Sequence, residues 1–572
     1  MLVVDVQLRR EQLCRRCLDL PQFIERLKLH SRAGVMMALL FFAGSLTPSM
    51  IPRTDLIQGI LSGLATALGY GIGLSITATW TFLQLPPAKG LIARVIATAA
   101  TLACAVVALA ALLKMPDWQN SVRLLMGLEA VEIGSRLRTA LVTALVFLML
   151  VLLGRLFRFC FVRVSTTFER FVPVRISYAI GAIVATTLFW FAAEGILFRV
   201  ALRVMDSSFQ ELDALVEDDI PRPTQPGKTG SPPSEVSWDN LGRQGRRFVS
   251  SGPTEAMIRD LFYGETVEPI RVYVGMNSAG TAEERAELAL RELMRTGAFE
   301  RSILIIVVPT GTGMVDPAAL DTVEYLHRGD VASVAVQYSY LASWLSLLVE
   351  PTYGSETAVA LFRAVYNYWI TLPRDDRPKL YLHGLSLGAM NSELSADLYD
   401  IIADPFQGAL WSGPPFTSRT WRSVTNGRDP RTPEWLPRFR SGSVFRFTNQ
   451  KNALDIPGAV WGPMRIVYLQ YASDPITFFD TATLYREPDW LRPPRGPDVS
   501  TEIAWYPVVT MLQLAVDMAI ATTSPMGYGH VFAPEHYIDG WVAVTDPPNV
   551  TADDILRLKT FFANRRTGSG TD

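Results

Sequence analysis

The sequence predicts a bundle of transmembrane α-helices at the N-terminus, followed by an α/β domain with a mostly parallel sheet and helices on both faces. The first third of the 572-residue chain consists of long apolar runs, whereas the remainder alternates strand-like and helix-like segments. A mean hydropathy of +0.20 beside 19% charged residues fits a mixture of membrane-embedded and water-exposed parts. The net charge of −2 disfavours nucleic-acid binding.

Five apolar runs within residues 33–205 predict membrane spans. They cover residues 33–51, 56–83, 95–113, 139–157 and 176–198. Each run is close to the ~20 residues with which a helix crosses a ~30 Å hydrocarbon core. None has the regular polar stripe of a helix on the surface of a soluble bundle. We therefore expect a membrane domain of about five helices after a basic segment, residues 1–32.

The distribution of Arg and Lys predicts the orientation. These residues are concentrated in residues 1–32 and in the loops that precede the third and fifth runs. Basic loops stay in the cytoplasm, so these segments should be cytoplasmic. With five spans, everything after the fifth run lies outside the cytoplasm.

The remaining two thirds divide into a linker, a domain and a tail. Residues 206–253 are polar and turn-rich, as in "EDDIPRPTQPGKTGSPPSEVS", and predict a linker. Residues 254–562 alternate apolar strands such as "SILIIVVPT" with amphipathic helices such as "TAEERAELALRELMRTG", a pattern typical of a parallel sheet covered by helices. Residues 563–572 should form a disordered tail. A ligand site should lie beyond the carboxyl ends of the strands.

The motif "HGLSLG" marks a candidate nucleophile. An apolar strand ends here, and small, helix-compatible residues follow. A sharp turn from strand to helix strains its central residue and leaves room only for glycine beside it, as at Gly384 and Gly388. The turn presents the central side chain at the carboxyl edge of the sheet. Ser386 is therefore the candidate nucleophile.

A serine hydroxyl needs a neighbouring base to attack at neutral pH, and the chain has five histidines. His30 lies in the segment expected in the cytoplasm, His327 at the end of a predicted helix and His383 inside the strand before the turn, so none of the three is well placed to act on Ser386. His530 and His536 remain, in "MGYGHVFAPEHYIDGW". We favour His530, because the glycines before it form a loop from which a base can project. His536 is the alternative.

Two aspartates are candidates for the acid that orients the imidazole. Asp474, in "RIVYLQYASDPITFFD", follows a strand and precedes a helix, as expected of such an acid. An Asp before Pro is also a good helix cap, so the residue has a purely structural interpretation as well. Asp455, after "VFRFTNQKNAL", is the alternative. The order Ser386, Asp474, His530 is the order in α/β-hydrolases.

The remaining site residues are expected around the serine. Backbone N–H groups of Leu387, at the helix start, and of Gly311 or Thr312, in the loop "PTGTGMVDP", are candidates for the oxyanion hole. Trp344 and Leu345, in "YLASWLSLLVEP", are candidates for a lid or an acyl-binding wall, with core packing as the alternative.

The chain resembles a family of actinobacterial integral membrane proteins, in which a multi-span N-terminal region is joined to an α/β-hydrolase-like catalytic domain. The resemblance covers nearly the whole chain after the first ~30 residues, from "SLTPSMIPR" through "NLGRQGRRFVSSGPT", "PTGTGMVDP", "HGLSLGAMNSE" and "LQYASDPI" to "GYGHVFAPEHYIDGW". It implies the α/β-hydrolase fold, this topology and a serine hydrolase, and it implies no particular substrate.

We therefore expect a multi-pass protein of the plasma membrane whose extracytoplasmic domain is a serine esterase or lipase. The expected substrate is an acyl ester of a cell-envelope lipid. Acyl transfer by the same residues and a non-catalytic lipid-binding scaffold are the alternatives. No cofactor or metal is expected, because the CxxC of Cys14 and Cys17 has no second pair and no histidine nearby.

Overall fold

The computed structural model describes residues 31–86, 90–130, 135–191, 213, 217, 219–341 and 353–568. The chain divides into two compact units. The first unit comprises Met1–Thr47, Arg53–Gln119 and Val131–Leu156, and the second comprises Pro48–Pro52, Asn120–Ala130 and Phe157–Asp572. Two short segments from between the N-terminal helices therefore belong to the same unit as the C-terminal domain.

The N-terminal region is helical. Its described helices are α1 Arg32–Ser45, α2 Asp55–Phe82, α3 Leu91–Leu125, α4 Ser135–Phe168 and α5 Val174–Trp190. Three helices are long and apolar enough to cross a membrane: Asp55–Phe82, Leu91–Leu125 and Arg136–Phe168. The first apolar run forms a shorter helix than expected, because α1 ends at Ser45 and the following segment contains Pro48 and Pro52. The fifth run continues beyond the described residues.

Glycines in α2 allow other helices of the first unit to approach closely. A Cβ at Gly59 or Gly63 would lie 2.5 or 2.6 Å from the Cβ of Val142 or Val146 in α4. A Cβ at Gly73 would lie 2.5 Å from the carbonyl oxygen of Ala33 in α1. Small residues at such positions permit tight helix packing in lipid.

The second unit is built on a seven-stranded parallel sheet within its described residues. The strands are β1 Ile270–Val274, β2 Ile303–Val308, β3 Val331–Val336, β4 Lys379–Leu385, β5 Gly408–Ser412, β6 Phe445–Thr448 and β7 Arg465–Leu469. Their order is β1-β3-β2-β4-β5-β7-β6. Nearly every strand residue is buried, as the continuous apolar runs predict.

Helices connect the strands and pack against the sheet. They are α6 Gly242–Ser250, α7 Glu255–Leu261, α8 Ala282–Arg295, α9 Pro317–Leu326, α10 Tyr353–Trp369, α11 Leu387–Ser395, α12 Leu398–Ile401, α13 Arg419–Asn426, α14 Pro475–Phe478, α15 Val509–Ala519, α16 Pro534–Thr545 and α17 Ala552–Gly568. The helical N-terminal region and the parallel α/β sheet confirm the predicted fold class.

The bounds of the domain extend beyond those expected from sequence. Part of the segment 206–253, expected as a linker, contributes α6 and the buried side chains of Trp238 and Phe248 to the core of the second unit. At the other end, α17 continues past residue 562 to Gly568.

The register of the sheet brings the candidate site to one edge. Val308 at the end of β2 pairs with Gly384 near the end of β4. Ser412 at the end of β5 pairs with both Leu385 and Leu469, the last residues of β4 and β7. The loops that follow β2, β4, β5 and β7 therefore leave the sheet side by side.

Glu393 anchors α11, the helix that follows Ser386. Its carboxylate accepts hydrogen bonds from the hydroxyl of Ser418 and, at 2.9 Å, from the hydroxyl of Tyr468 on β7. Removal of the carboxyl from water raises its pKa to about 7, although these donors act in the opposite direction. The folded protein therefore holds a proton on Glu393 that the unfolded chain releases at lower pH.

We expect this proton to make the protein less stable as the pH rises from about 4.5 to about 7, the window between the ordinary and the raised pKa. Below the window the carboxyl is protonated in both states, and above it both states are ionised. Glu393→Gln removes the titration and should make the fall in thermal midpoint across this window shallower than in the wild type. Thermal unfolding of the full chain in detergent at several pH values measures both slopes, and equal slopes would contradict the assignment.

Candidate active site

Ser386 is the single residue that connects β4 to α11. Its φ of 58° and ψ of −124° are outside the regions that residues with a side chain normally occupy. Its N–H donates to the carbonyl oxygen of Ser412 at 2.9 Å, which fixes the turn against β5. The residue is only 4% exposed. The strand, sharp turn and helix expected around "HGLSLG" are all present.

The glycines beside Ser386 are required by close backbone contacts. A Cβ at Gly384 would lie 2.3 Å from the carbonyl carbon of Gly388, and one at Gly388 would lie 2.2 Å from the carbonyl oxygen of Val308. Both positions face main-chain atoms, which cannot move aside as a flexible side chain can. Only glycine allows α11 to start this close to β2 and β4.

The structure brings His530 and Asp474 together. His530 Nδ1 lies 2.7 Å from Oδ2 of Asp474, whose side chain is fully buried. A carboxylate can only accept, so Nδ1 carries the proton and Nε2 of the neutral ring keeps its lone pair. Nε2 is buried and has no hydrogen-bond partner among the described residues.

The imidazole of His530 lies beside the turn that holds Ser386. A Cβ at Gly413 would be 2.7 Å from Cε1 of His530, so this ring covers the residue that follows β5. The preceding residue, Ser412, accepts the N–H of Ser386. Ser386 and His530 therefore border the same two-residue corner, and the ring atoms nearest to Gly413 are Cε1 and Nδ1.

Asp474 has two structural partners besides the histidine. It is the N-cap of α14, where Oδ1 accepts the N–H of Ile476 at 2.9 Å. Oδ2 also accepts from the hydroxyl of Thr477 at 3.2 Å. The capping interpretation and the interpretation as an orienting acid are thus compatible, because the cap uses one oxygen and His530 the other.

The loop of His530 is also packed on a segment from between α1 and α2. The N–H groups of Met50 and Ile51 donate to Oδ2 of Asp517 on α15, at 3.1 and 3.4 Å. A Cβ at Gly529 would be 3.0 Å from Cδ1 of Ile51. The residue before the histidine therefore has little freedom to move on this side.

The other described histidines have structural partners. His383 is buried within β4, with Nδ1 2.7 Å from the carbonyl oxygen of Leu410. His327 ends α9 and contacts the hydroxyl of Thr545 at 2.8 Å. His536 lies on α16, where Nδ1 is 2.5 Å from the hydroxyl of Tyr471. Burial lowers the pKa of each of the three to about 4.

The alternative acid and the expected acyl wall lie elsewhere. Asp455 is exposed in the loop after β6, where its charge faces Arg446. The structure therefore does not bring it to the pair of His530 and Asp474. Trp344 and Leu345 fall outside the described residues.

The loop after β2 lies against the start of α11. The carbonyl oxygens of Val308 and Pro309 face Gly388, and Gly311 and Thr312 follow in the same loop after Thr310. The N–H of Leu387 belongs to the first turn of α11, where amides have no intrahelical acceptor. The start of α11 and the loop that carries Gly311 and Thr312 therefore lie along the same edge of the sheet, and the oxyanion donors stay a prediction.

Asp316 is a further carboxylate near the imidazole that sequence reasoning did not select. It caps α9 by accepting the N–H of Ala318, and its Oδ2 accepts the hydroxyl of Tyr537 at 2.9 Å. Burial raises its pKa to about 6, while His530 acts to lower it. Its position in "PTGTGMVDP" was visible in the sequence, but only the fold brings α16 and this loop together.

Within the described residues, no three His, Cys, Asp or Glu side chains converge as metal ligands would.

Comparison with known proteins gives matches to two family models. Residues 270–558 match the model described as the alpha/beta-hydrolase family, and residues 46–253 match the model described as the N-terminus of that family. No curated protein and no solved structure matches the chain. The first match covers more than half of the chain and contains the whole sheet, so the protein belongs to the alpha/beta-hydrolase family.

Proposed function

We propose that the protein is a membrane-anchored serine hydrolase that cleaves an acyl ester through Ser386, His530 and Asp474. The observation that carries this proposal is the contact between His530 and Asp474, which leaves Nε2 without a hydrogen-bond partner among the described residues, in a ring that lies beside the corner of Ser412 and Gly413. Family membership agrees with a hydrolase and leaves the reaction open.

Each residue has a defined role in the proposed reaction. Nε2 of His530 takes the proton as Oγ of Ser386 attacks the acyl carbonyl, and later returns it to the leaving alcohol. Asp474 stabilises the imidazolium and keeps the proton of Nδ1 in place. The N–H of Leu387 and one from Gly311 or Thr312 stabilise the oxyanion. Water then releases the acyl group from Ser386.

We propose an acyl ester of a cell-envelope lipid as the substrate class. The support is the N-terminal region, in which three helices are long and apolar enough to cross a bilayer and would keep the domain close to lipid. The same residues would pass the acyl group to an alcohol in place of water. Product analysis with an added alcohol separates hydrolysis from transfer.

The proposed topology has five crossings. The segments 48–52 and 120–130 belong to the unit that contains the sheet, and the hydroxyls of Ser121 and Ser500 lie 2.8 Å apart. We infer that both segments lie on the same side of the bilayer as the sheet. α2 and α3 separate the two segments, and α4 and α5 separate the second segment from the sheet. The proposal requires the helices of each pair to cross in opposite directions; α2, α3 and α4 are long enough for this, and the run of α5 continues beyond the described residues. The proposed first crossing lies in the apolar run 33–51, of which α1 covers Arg32–Ser45. It would put the domain opposite the basic N-terminal segment, outside the cytoplasm.

A fluorophosphonate probe tests the nucleophile. We expect the probe to label the full-length wild type at Ser386, because the attacking oxygen is activated by His530, and to leave Ser386→Ala unlabelled. Labelling is measured by in-gel fluorescence and by mass spectrometry of the modified peptide. An unlabelled wild type, beside a control esterase that reacts in the same detergent, would contradict the enzyme and favour a lipid-binding scaffold.

Two histidine variants test the base. His530→Ala should lower kcat for a short-chain p-nitrophenyl ester by at least ~10²–10⁴-fold, the contribution of a positioned general base, with little change in KM. His536→Asn is the matched variant, because His536 contacts Tyr471 rather than Asp474, and it should stay within about tenfold of the wild type. The reverse ranking would assign the base to His536.

Protease treatment tests the topology. In spheroplasts of an expressing bacterium, we expect the C-terminal domain to be degraded while a cytoplasmic marker protein and a tag on the N-terminus survive. The reason is that five crossings after a cytoplasmic N-terminus would put the domain on the outer side of the membrane. Immunoblotting of both ends of the chain reads the result, and a C-terminal domain that is cleaved only after lysis would place it in the cytoplasm.

A further inference from the structure

A buried carboxylate links the two turns that carry Asp474 and His530. Asp498 is 2% exposed and lies in the loop between α14 and α15. Its Oδ2 accepts three hydrogen bonds: from the N–H of Ser473 at 3.1 Å, from the hydroxyl of Ser473 at 2.6 Å and from Nε2 of Gln450 at 2.9 Å. A single oxygen therefore collects donors from two different loops.

These donors extend to the histidine loop. The hydroxyl of Ser473 donates a hydrogen bond to Asp498 and accepts one from the N–H of Gly529 at 2.9 Å. Nε2 of Gln450 also donates to the carbonyl oxygen of Gly527 at 3.1 Å. Ser473 precedes Asp474, and Gly529 precedes His530. The network thus joins the residues immediately before both members of the proposed acid and base pair.

The histidine loop needs such support. Gly527 and Gly529 have positive φ values of 92° and 57°, and glycine restricts the backbone less than any other residue. A loop of this composition does not fix the position of an imidazole by itself. The bonds to its backbone at Gly527 and Gly529 supply the missing restraint.

The cost of burying Asp498 also favours a specific role. A buried carboxylate loses its hydration, and hydrogen bonds must replace it. The second oxygen, Oδ1, is buried and has no hydrogen-bond partner among the described residues, so the replacement is incomplete. An apolar residue would fill this space without that loss, but it could not accept hydrogen bonds from Ser473 and Gln450.

We propose that Asp498 is a positioning residue that sets the distance between His530 and Asp474 through Ser473 and Gln450. Asp498 does not touch the reacting atoms. This inference rests on the proposed function, in which that distance determines the transfer of the proton from Ser386. A displacement of about 1 Å in such a group can lower the rate by ~10²-fold.

The test compares three variants of the full-length protein with the wild type. Asp498→Ala removes the shared acceptor, Ser473→Ala removes the bridge to Gly529, and Asp498→Asn keeps an oxygen where Oδ2 lies. Glu292→Ala is the matched control. Glu292 is likewise a fully buried carboxylate that collects several donors, from Ser234, Glu235 and Arg295, and none of these contacts involves the candidate site.

With a p-nitrophenyl ester, we expect kcat to fall by about 10–100-fold in Asp498→Ala and Ser473→Ala, while KM stays within about twofold of the wild type. Asp498→Asn should recover most of the loss, because its amide oxygen can still accept. Glu292→Ala should retain the wild-type kcat when activity is divided by the folded fraction of the protein. The folded fraction is measured from the amplitude of the thermal unfolding transition. A wild-type kcat in Asp498→Ala, or the same fall in Glu292→Ala, would overturn the proposal.

Hydrogen exchange gives a readout that does not depend on activity. Peptides that cover residues 526–532 should exchange faster in Asp498→Ala and Ser473→Ala than in the wild type, because the N–H of Gly529 loses its acceptor or the anchor of that acceptor. Unchanged exchange would refute the link between the loops. A wild type that fails to react with fluorophosphonate while exchange still responds to Asp498→Ala would instead reject the proposed function and leave the structural link intact.

Discussion

The close approach of α11 to the ends of β2 and β4 is the constraint on which the candidate site depends. Ser386 has a backbone conformation that is unfavourable for a residue with a side chain. It persists because the strand on one side and the helix on the other are both packed into the core. Gly384 and Gly388 face main-chain atoms at distances that exclude any Cβ. The strain at one residue is thus compensated by the burial of two whole elements, and the hydroxyl of Ser386 is held at the edge of the sheet.

The same edge determines where the base can be. The corner after β5 has no side chain at Gly413, and the imidazole of His530 occupies that space. Asp474 lies in the loop that follows β7, the neighbour of β5. One of its carboxylate oxygens caps α14, and the other contacts His530. The cap matters for the chemistry as well, because a carboxylate fixed by the N–H of Ile476 cannot rotate away from the ring. Sheet register, helix capping and the orientation of the imidazole are therefore aspects of one arrangement.

Sequence reasoning could predict the features that depend on local pattern. The alternation of apolar runs and amphipathic helices indicates a parallel sheet, and glycines on both sides of Ser386 indicate the sharp turn. Asp474 can be selected because strand, Asp and Pro are consecutive in the chain. Hydropathy overestimated the length of α1, because the apolar run continues through residues around Pro48 that belong to the other unit. The networks of Asp498 and Asp316 could not be predicted, since each joins loops that are far apart in sequence and carries no motif.

The distribution of the core explains why the domain cannot be described by its C-terminal sequence alone. Met50 and Ile51 are each 1% exposed, and Met50, Ile51, Val122 and Met126 belong to the same buried cluster as the strands. Burial of a large apolar side chain contributes about 1.5–3 kcal/mol, so these segments add to the stability of the unit rather than merely passing by it. Ile51 also limits the movement of Gly529, next to His530. The segment between the first two helices therefore supports both the core and the loop of the proposed base, which gives this part of the N-terminal region a physical role beside the candidate site.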